Sequence, residues 1–533
     1  ACLPSKWPNN MIMGNTKTNI NSTKILVDKY NTQMTTQKKI SKASEDPVIA
    51  IRSMRMATTL SHLGQYVDNN IPDARSWLDV TETSLKNMKS IITDIRTQCV
   101  NGSTDTLTAD DRETILKQLT QLSKQVYSEG NSDYAGRTIF TGYYTSSNLT
   151  FMKDQSDTTY EITQGFTYED LKEARYYTAG VTVPTTVEKK IPAGDDIKDY
   201  YCKTDVHENA YQRIRLAYGG VTGNSVKLSI KGADGNPVQT ESKDVNGNVI
   251  TDANGDPVMT DKYQITKVYD SAADFTSQAA GNAAVGDDDI IFIADTGELV
   301  FGANVAKEIQ DNRYSLDVTY DKTGFEAEDA RPEFYYNCIN KTDAANPVKY
   351  KFDDQQYIKY TVATNTDIAV NTLACDVLDT SIKRDVDEMI NIVQDAIQAH
   401  EKVDKIKSMM AEEQYSGEDS QKILQSYLDA AEQEASYADD NLQKTYGQYI
   451  SNCDGYLDNV NLAISNVGST ESRISLIQTR VENQQTTIEE LKSNNEDRDI
   501  SDIIIDYYAM YNAYTASLTA ASKVEQQTLL NYL

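Results

Sequence analysis

The residues that most often carry chemistry in proteins are few and widely separated in this chain. Its histidines are His62, His207 and His400, and His207-Glu208 lacks the second histidine, four residues on, that a zinc protease helix needs. The six cysteines form no close pair along the sequence, so neither a zinc knuckle nor a dense disulfide scaffold is predicted. We therefore predict no catalytic residue, no metal site and no cofactor.

Two acidic stretches match cation sites only in part. Residues 252–256 open like a calcium loop, but Pro257 stands where that loop needs glycine, and no glutamate follows at the twelfth position. Residues 287–289 are three consecutive aspartates, and adjacent side chains of an extended chain point to opposite faces. A hairpin turn and a solvated loop are the favoured interpretations, and calcium binding at 252–256 is the alternative.

Composition limits the classes of partner. The chain has 533 residues and a mass of 59.5 kDa, which is enough for roughly two to four packing units. With 51 Lys and Arg against 80 Asp and Glu, the net charge of -29 opposes nonspecific binding to nucleic acid or anionic lipid. Mean hydropathy is -0.56, and no apolar run approaches the ~20 residues of a membrane-spanning helix. We expect neither nucleic acid nor a membrane as a partner.

Both ends of the chain are predicted to be helical. Proline is absent between Pro72 and Pro184 and after Pro347, which permits long uninterrupted helices in those stretches. A heptad seam that must be buried against a partner helix ends at Asn101-Gly102. Its members are spaced alternately by three and four: Leu78, Thr81, Leu85, Met88, Ile92, Ile95 and Cys99.

Two further helices follow the same pattern. Thr108, with Asp111 at the third helical position, is predicted to cap a helix that ends before Gly130. Near the other end of the chain, heptad spacing from Val460 to Leu491 predicts a third long helix. Neither chain end can bury its seam alone, so we expect the two ends to pack together.

The middle of the chain, residues 151–379, is predicted to be a β-rich insert. Alternating Thr, Tyr and Val side chains are broken at short intervals by turn residues. Turn signals at 234–237, 246–248 and 254–257 predict successive short hairpins. The predicted fold class is therefore α+β: a long, coiled-coil-like helical bundle built from both chain ends, with an inserted β-rich outer domain.

The outermost segments carry apolar stripes that are too thin for a monomeric core. In residues 11–40 the stripe recurs only every seventh position, at Met13, Ile20, Val27 and Met34. In residues 500–533 the predicted apolar positions are Ile504, Tyr507, Tyr511, Tyr514, Leu518, Leu529, Leu530 and Leu533. Because exposed apolar patches of this length are rare on monomers, we predict that both stripes are buried between subunits.

Motifs at both chain ends resemble those of one protein family. Ser44-Glu45-Asp46-Pro47 resembles the S-D-D-P element near the start of flagellin-like axial proteins, with glutamate in place of the first aspartate. Residues 136–143, Gly-Arg-Thr-Ile-Phe-Thr-Gly-Tyr, resemble the G-R-Y-I-F-A-G-Y segment of the hook–filament junction branch of that family, which flagellins usually lack. Residues 513–518 and 528–533 resemble the A-Y-x-A-S-L and S-L-L-x-x-L segments of the same branch.

The resemblance implies a three-part organisation. Its parts are inner terminal helices at 1–45 and 495–533, a helical bundle at 46–150 and 380–494, and the outer domain at 151–379. It also assigns roles at the joints, where Ser44 is expected to cap a helix and, with Asp46 and Pro47, to fix the bend between inner helix and bundle. The turn that leaves the bundle is assigned to three residues: Gly136, Arg137 and Gly142.

The function implied by the resemblance is structural, with no enzymatic activity. The chain would form a ring of its own copies between hook and filament and transmit torque across that junction. Its expected partners are the neighbouring hook-associated protein on one side, flagellin on the other, and an export chaperone in the cytoplasm. The expected location is the extracellular flagellum after type III export, in keeping with an N-terminus that lacks a secretory signal pattern.

Two alternative functions stay open at this point. A filament flagellin with an enlarged outer domain would share the helical ends, although residues 136–143 argue against it. A surface adhesin or glycan-binding module would use aromatic pairs in the insert, namely Tyr176-Tyr177, Tyr200-Tyr201 and Tyr335-Tyr336.

Overall fold

The computed structural model describes most of the chain. The described residues are 7–104, 107–177, 181–182, 197–198, 202–203, 208–242, 249, 257–279 and 285–530. The calcium-like stretch at 252–256 and the turn signal at 246–248 lie outside them.

Long helices occupy both ends of the chain. In the part that the structure describes they are α1 (Trp7–Thr36), α2 (Pro47–Gln65), α3 (Ile71–Gly102), α4 (Ala109–Glu129), α5 (Ala272–Ala279), α6 (Ala303–Asn312), α7 (Ser381–Met410), α8 (Glu418–Glu496) and α9 (Ile500–Leu530). A π-helical turn, Tyr66–Asn70, joins α2 to α3. Among the described residues, no helix combines the length and apolarity that crossing a membrane requires.

The heptad seam of α3 is buried as predicted. All seven of its members, from Leu78 to Cys99, are at most 3% exposed. On α8 the predicted seam is buried at Val460, Val467, Ile474, Ile477 and Val481, but Leu491 at its end is half exposed. The apolar spacing therefore identified both helices and the faces that they bury.

Helix α4 begins at the predicted cap. The Thr108 hydroxyl accepts a hydrogen bond from the Asp111 backbone N–H at 3.3 Å, and the Asp111 carboxylate accepts one from the Thr108 backbone N–H at 3.2 Å. This reciprocal pair is a capping box, which satisfies amide groups that the first helical turn leaves unpaired. The helix ends at Glu129, one residue before Gly130, as predicted.

The strands lie between the two helical ends. They are β1 (Asp133–Tyr134), β2 (Arg137–Thr138), β3 (Gln155–Thr167), β4 (Lys172–Tyr177), β5 (Val181–Thr182), β6 (Cys202–Lys203), β7 (Glu208–Arg215), β8 (Lys227–Lys231), β9 (Gln239–Glu241), β10 (Met259–Asp261), β11 (Lys267–Tyr269), β12 (Ile290–Ile293), β13 (Glu298–Phe301), β14 (Ser315–Phe325), β15 (Asn337–Asn340), β16 (Val348–Tyr350), β17 (Lys359–Ala363) and β18 (Thr366–Ala369).

Two five-stranded sheets form the centre of the insert. One has the order β11-β12-β13-β7-β4 and the other the order β16-β15-β3-β14-β8. A buried cluster that includes Ile214, Phe292, Leu299, Leu316 and Tyr320 draws residues from both sheets. The turn predicted at 234–237 is present, with Gly235 at a φ of +78°. The α+β fold class is confirmed, with long helices at both ends and a β-rich middle.

The chain divides into two compact units. One contains the residues up to Arg75, Lys359–Ile368 and the residues from Thr470, and the other contains Ser76–Ile358 and Ala369–Ser469. Helices α3 and α8 contribute residues to both. The three-part division at residues 45, 150, 379 and 494 stays a prediction.

Candidate assembly surfaces and joints

The two terminal helices pack along each other in one unit. Helix α1 packs against α9, and the predicted positions Ile20, Val27 and Met34 are half-buried, while Met13 is exposed. Between them, Thr23 and Tyr30 are also half-buried, so the contact follows a heptad-like row. The pair is therefore held by a narrow apolar seam.

Much apolar surface on these two helices faces away from the seam. On α1, Met11 is 70% exposed and Ile25 is 66% exposed. On α9, Ile505 is 65% exposed and Tyr508 is 60% exposed. Large apolar side chains usually cluster in a core, so these exposed side chains make the outer surface of the helix pair a candidate surface for association.

The face of α9 that was predicted to be apolar and buried lies close to the face that is buried in the structure. Tyr507 and Tyr514 are half-buried, whereas Tyr511 and Leu518 are 48% and 43% exposed. Among the described side chains of α9, the fully buried one is Ile503, one position before the predicted Ile504. Leu529 and Leu530 lie in α9, but their side chains are outside the described residues, as is Leu533.

The segment that follows α1 contacts the segment that precedes α9. Lys38 Nζ lies 2.9 Å from Glu496 Oε2 and 2.5 Å from Asp497 Oδ1. The backbone pairs as well, since Lys39 N donates to Glu496 O at 2.6 Å and Arg498 N donates to the Gln37 carbonyl at 3.0 Å. We call residues 37–39 and 496–498 the crossing clamp.

Charge strengthens the clamp. Hydrogen bonds from Lys38 and Ser493 lower the pKa of Asp497, and the hydrogen bonds to Asp497 and Glu496 raise the pKa of Lys38. Both side chains are about two-fifths exposed, so solvent screens the pair. The sequence carried a faint signal for this site, because a Lys-Lys pair and a Glu-Asp pair stand at the two helix ends.

Arg498 ties the clamp to the terminal helices. Its Nη1 donates to Gln33 Oε1 at 3.1 Å, and its guanidinium lies 5.5 Å from the centroid of the Tyr30 ring. It also pairs with Asp506 on the first turns of α9. Gln33, itself 5% exposed, donates to the Lys39 carbonyl at 2.6 Å. The direction in which the terminal helices leave the clamp is thus fixed by side chains from both ends.

Asp46, and not Ser44, caps α2. Its Oδ1 accepts hydrogen bonds from the backbone N–H groups of Val48 at 2.9 Å and Ile49 at 3.1 Å, and Pro47 occupies the first helical position. The expected cap at Ser44 was wrong, because the capping residue is the one that directly precedes the first helical residue. Glu45 instead accepts a 2.7 Å hydrogen bond from the Ser41 hydroxyl.

Gly136 lies in a two-residue hairpin turn. Strands β1 and β2 pair Asp133 with Thr138 and Tyr134 with Arg137, and the turn residues Ala135 and Gly136 have φ values of +52° and +76°. This is the backbone of a type I′ turn, for which glycine is well suited. Gly136 N also donates to Asp133 Oδ2 at 3.0 Å.

Arg137 and Gly142 each make a specific contact. The Arg137 guanidinium lies 5.2 Å from the centroid of the buried Trp77 ring of α3, which is a cation–π arrangement. Gly142 has a φ of +59°, and a Cβ there would overlap Gln356 Oε1. The same oxygen accepts a 3.0 Å hydrogen bond from Tyr143 N. Residues 136–143 therefore contact both Trp77 of α3 and Gln356 near the end of the insert.

A buried ionic cluster links the insert to α7. On β7, Arg213 Nη1 donates to Glu298 Oε1 at 2.6 Å, and Arg215 Nη1 donates to Glu388 Oε2 at 2.6 Å. Arg213 also pairs with Glu388, and Arg215 with Asp385. All five side chains are at most 17% exposed. We call these five residues the arginine cluster.

Helix α8 completes the cluster with neutral donors. Asp385 Oδ2 accepts hydrogen bonds from Asn452 Nδ2 at 3.0 Å and the Tyr456 hydroxyl at 2.7 Å. Burial raises the pKa of Glu388, but Arg213 and Arg215 outweigh burial and hold it at about 2. The sequence did not predict this cluster, since arginines on an alternating strand are typical of a solvent-facing row.

The described members of the aromatic pairs expected to bind glycans are not exposed. Tyr335 is 8% exposed, and Tyr336 is half-buried with its hydroxyl 2.7 Å from Thr380 Oγ1. The half-buried Tyr176 donates to Glu298 Oε2 at 2.9 Å. Tyr200 and Tyr201 lie outside the described residues. The prediction that these aromatic side chains are exposed was wrong for Tyr176, Tyr335 and Tyr336, because their rings are buried or half-buried, and the Tyr177 side chain is outside the described residues.

A cavity of about 690 Å³ borders the arginine cluster between the insert and α7. Its walls carry cationic side chains such as Lys322 and Arg384 and acidic ones such as Asp387 and Glu326. This mixture selects neither an anion nor a cation. Among the described residues, no group of three or more His, Cys, Asp or Glu side chains is arranged to hold a metal ion.

Comparison with known proteins connects this geometry to a family. Residues 8–145 match a family model described as the bacterial flagellin N-terminal helical region. Over these residues the chain is similar to that region. The match confirms the resemblance to flagellin-like axial proteins for the stretch that holds α1, residues 37–39 of the crossing clamp, Asp46 and the hairpin at Gly136.

The chain is also similar to one particular flagellar protein. Over 118 residues the chain is 29% identical to the flagellar hook-associated protein 3 of Escherichia coli strain K12, a match that spans 22% of this chain and 37% of the relative. This flagellin-like chain thus matches little more than a third of the relative's length. The similarity agrees with the hook-associated branch that residues 136–143 indicated.

Two solved structures also match this chain, at low identity and low TM-score. A putative flagellar hook-associated protein from Vibrio parahaemolyticus is 11% identical, with a TM-score of 0.33 over 85% of this chain and 100% of its own. The flagellar hook-associated protein 3 from Legionella pneumophila is also 11% identical, with a TM-score of 0.31 over 83% and 98% of the two chains.

Proposed function

We propose that this flagellin-like chain is a non-catalytic structural subunit that forms a ring between the hook and the filament of the bacterial flagellum and transmits torque across that junction. The observation that carries the proposal is the apolar outer surface of α1 and α9. It is too exposed for a monomer and lies on the family's N-terminal helix and its C-terminal partner.

Side-chain contacts support a load-bearing role for the joints. The crossing clamp joins the two chain ends between the terminal helices, and the arginine cluster joins the insert to α7. In the proposal, the terminal helices bury their apolar surface against neighbouring copies, and the Asp46 cap and the clamp fix the bend that follows. The adjoining partners in the flagellum are a hook-associated protein and flagellin. Before assembly, the chain binds an export chaperone in the cytoplasm and is exported through the type III apparatus.

A filament flagellin is the second candidate, because the match over residues 8–145 is to the flagellin N-terminal region as a whole. The similarity to a hook-associated protein and the 136–143 segment favour the junction. The two candidates predict different positions on the flagellum, and gold labelling of intact flagella separates them.

An incorporation experiment tests the assembly surface. The double variant Ile505→Ser, Tyr508→Ser changes two exposed side chains and should fold, but it should not enter flagella of a strain that lacks the native protein. The matched control, Asn512→Ser, Thr519→Ser, changes two exposed polar residues of the same helix and should restore flagella. Normal incorporation of the Ile505/Tyr508 variant would contradict the proposal.

A further inference from the structure

Two cysteines from opposite ends of the chain meet in the helical interior. Cys99 on α3 is 1% exposed and Cys453 on α8 is 4% exposed, and both are free thiols. The neighbouring Cys453 thiol, together with burial, raises the pKa of the Cys99 thiol. They occupy buried seam positions, where a pair of apolar side chains would serve packing equally well.

Contacts on both sides of the pair hold the two helices together at this level. One turn before Cys99, Arg96 Nε lies 2.7 Å from Asp454 Oδ1. One turn after it, Gly102 lies against the Tyr446 ring, so closely that an added Cβ would be 2.5 Å from the phenolic oxygen. The helices therefore run antiparallel in close contact, with the thiols between two fixed points.

We propose that Cys99 and Cys453 form a disulfide that covalently links α3 to α8 when the protein meets an oxidised small-molecule disulfide. The inference goes beyond the proposed function and rests on it only in taking the chain to be extracellular, whereas the refolding test below does not depend on that location. Disulfides persist in extracellular proteins, where small-molecule oxidants are available.

The chemistry balances as a thiol–disulfide exchange. One cysteine thiolate attacks the small-molecule disulfide and releases one thiol, and the second cysteine thiolate then attacks the mixed disulfide and releases the other. Two S–H bonds and one S–S bond are lost, and one protein S–S bond and two small-molecule thiols are formed. The two cysteines are oxidised together, and the small molecule receives both electrons and both protons.

Burial sets when this reaction occurs. The contact with Cys453 and burial raise the pKa of the Cys99 thiol well above its ordinary value, so the thiolate is scarce in the closed bundle. Oxidation should therefore be slow in the folded protein and fast while the helices are assembling. Once formed, the bond closes a very long loop, which favours the folded state by restricting the unfolded chain.

The test refolds the full-length chain from urea with oxidised or reduced glutathione, traps free thiols with iodoacetamide and maps peptides without reduction. We expect a peptide pair linking Cys99 to Cys453 only in the oxidised sample, whose Tm should be higher by several degrees. The variants C99A and C453A should lose both the link and the Tm difference. The control C338A, which alters a buried cysteine on β15, should keep both.

Two results would overturn the inference. One is recovery of both Cys99 and Cys453 as alkylated thiols from oxidised protein whose circular dichroism is native. The other is a link from either residue to a different cysteine. If C99A or C453A fails to fold, the peptide map of the unaltered chain still decides between the linked and unlinked states.

Discussion

Lys38 Nζ lies 2.5 Å from Asp497 Oδ1, and this ion pair joins the two ends of the chain just after α1 ends and just before α9 begins. The backbone bridge between the same two residues adds a direction to the contact. In the proposed function, load passes from the terminal helices to the rest of the chain through this crossing. Side-chain and backbone atoms of Lys38 and Asp497 therefore form the joint between the two chain ends.

Acid should weaken the clamp through Asp497. Lys38 lowers the pKa of this carboxyl below its ordinary value of 3.8. The stabilisation is thus present above pH 3.8 and is lost as pH falls through the lowered pKa. We expect Asp497→Asn to lower the urea midpoint at pH 7 by a small amount, because the pair is exposed. The difference between variant and unaltered chain should shrink toward pH 3, whereas a constant difference would mean that the carboxylate charge is not involved.

Removing the α2 cap should loosen the start of that helix. Asp46→Ala deletes the acceptor of two backbone hydrogen bonds and should cost about 1 kcal/mol, which corresponds to roughly fivefold faster hydrogen exchange in the first turns of α2. Ser44→Ala is the matched control and should leave exchange unchanged, because Ser44 does not cap the helix. Equal effects of the two substitutions, followed by mass spectrometry of peptides from 47–65, would contradict the assignment.

Breaking the arginine cluster should destabilise the folded chain, because the cluster holds the insert against α7. Glu388→Gln leaves two buried guanidinium groups with less compensating charge and should cost about 3 kcal/mol. The surface pair Lys407–Glu432, about half exposed, supplies the control Glu432→Gln, which should cost less than about 1 kcal/mol. Urea denaturation measures both changes, and similar values for the two variants would show that burial adds nothing.

The arginine cluster also has a pH dependence of known sign. The pKa of Glu388 is about 2 in the folded chain, below its ordinary value of 4.5. Its stabilisation is therefore complete above pH 4.5 and declines as pH falls toward 2. Urea midpoints of the unaltered chain and of Glu388→Gln should converge over that range. Parallel pH profiles would contradict the charge-based explanation.

Two glycines of the 136–143 segment should differ in their tolerance of alanine. Both have positive φ, which costs an alanine about 1 kcal/mol. Gly142→Ala must in addition displace Gln356, whereas Gly136 has open space around its α-carbon. Denaturation should therefore show a larger loss for Gly142→Ala, partly restored by adding Gln356→Ala. Equal losses would place the cause in the backbone alone.

Periodicity predicted the helical parts of the fold well. The seam from Leu78 to Cys99 and the capping box at Thr108 depend on residues within a few turns of each other, and local spacing encodes them. The order of the strands in the two sheets was not predicted. Pairs such as β3 with β14 join segments about 150 residues apart, and no local pattern specifies them.

The sequence predicted the local motifs of the candidate site, but it did not predict which distant residues pair with each other. Asp46, Gly136 and Gly142 have conformations that their neighbours along the chain largely determine. Lys38 with Asp497, and Arg215 with Asp385, are pairs that only the folded chain brings together. The same limit explains why Tyr335 was expected at the surface, since a tyrosine carries both a polar tip and an apolar ring.

Location on the flagellum tests the central proposal most directly. Intact flagella would be labelled with gold-conjugated antibody against residues 151–379, and a strain lacking the protein would serve as the control. The proposal predicts a single cluster of gold where hook meets filament. Label spread along the whole filament would contradict it and identify the chain as a filament flagellin.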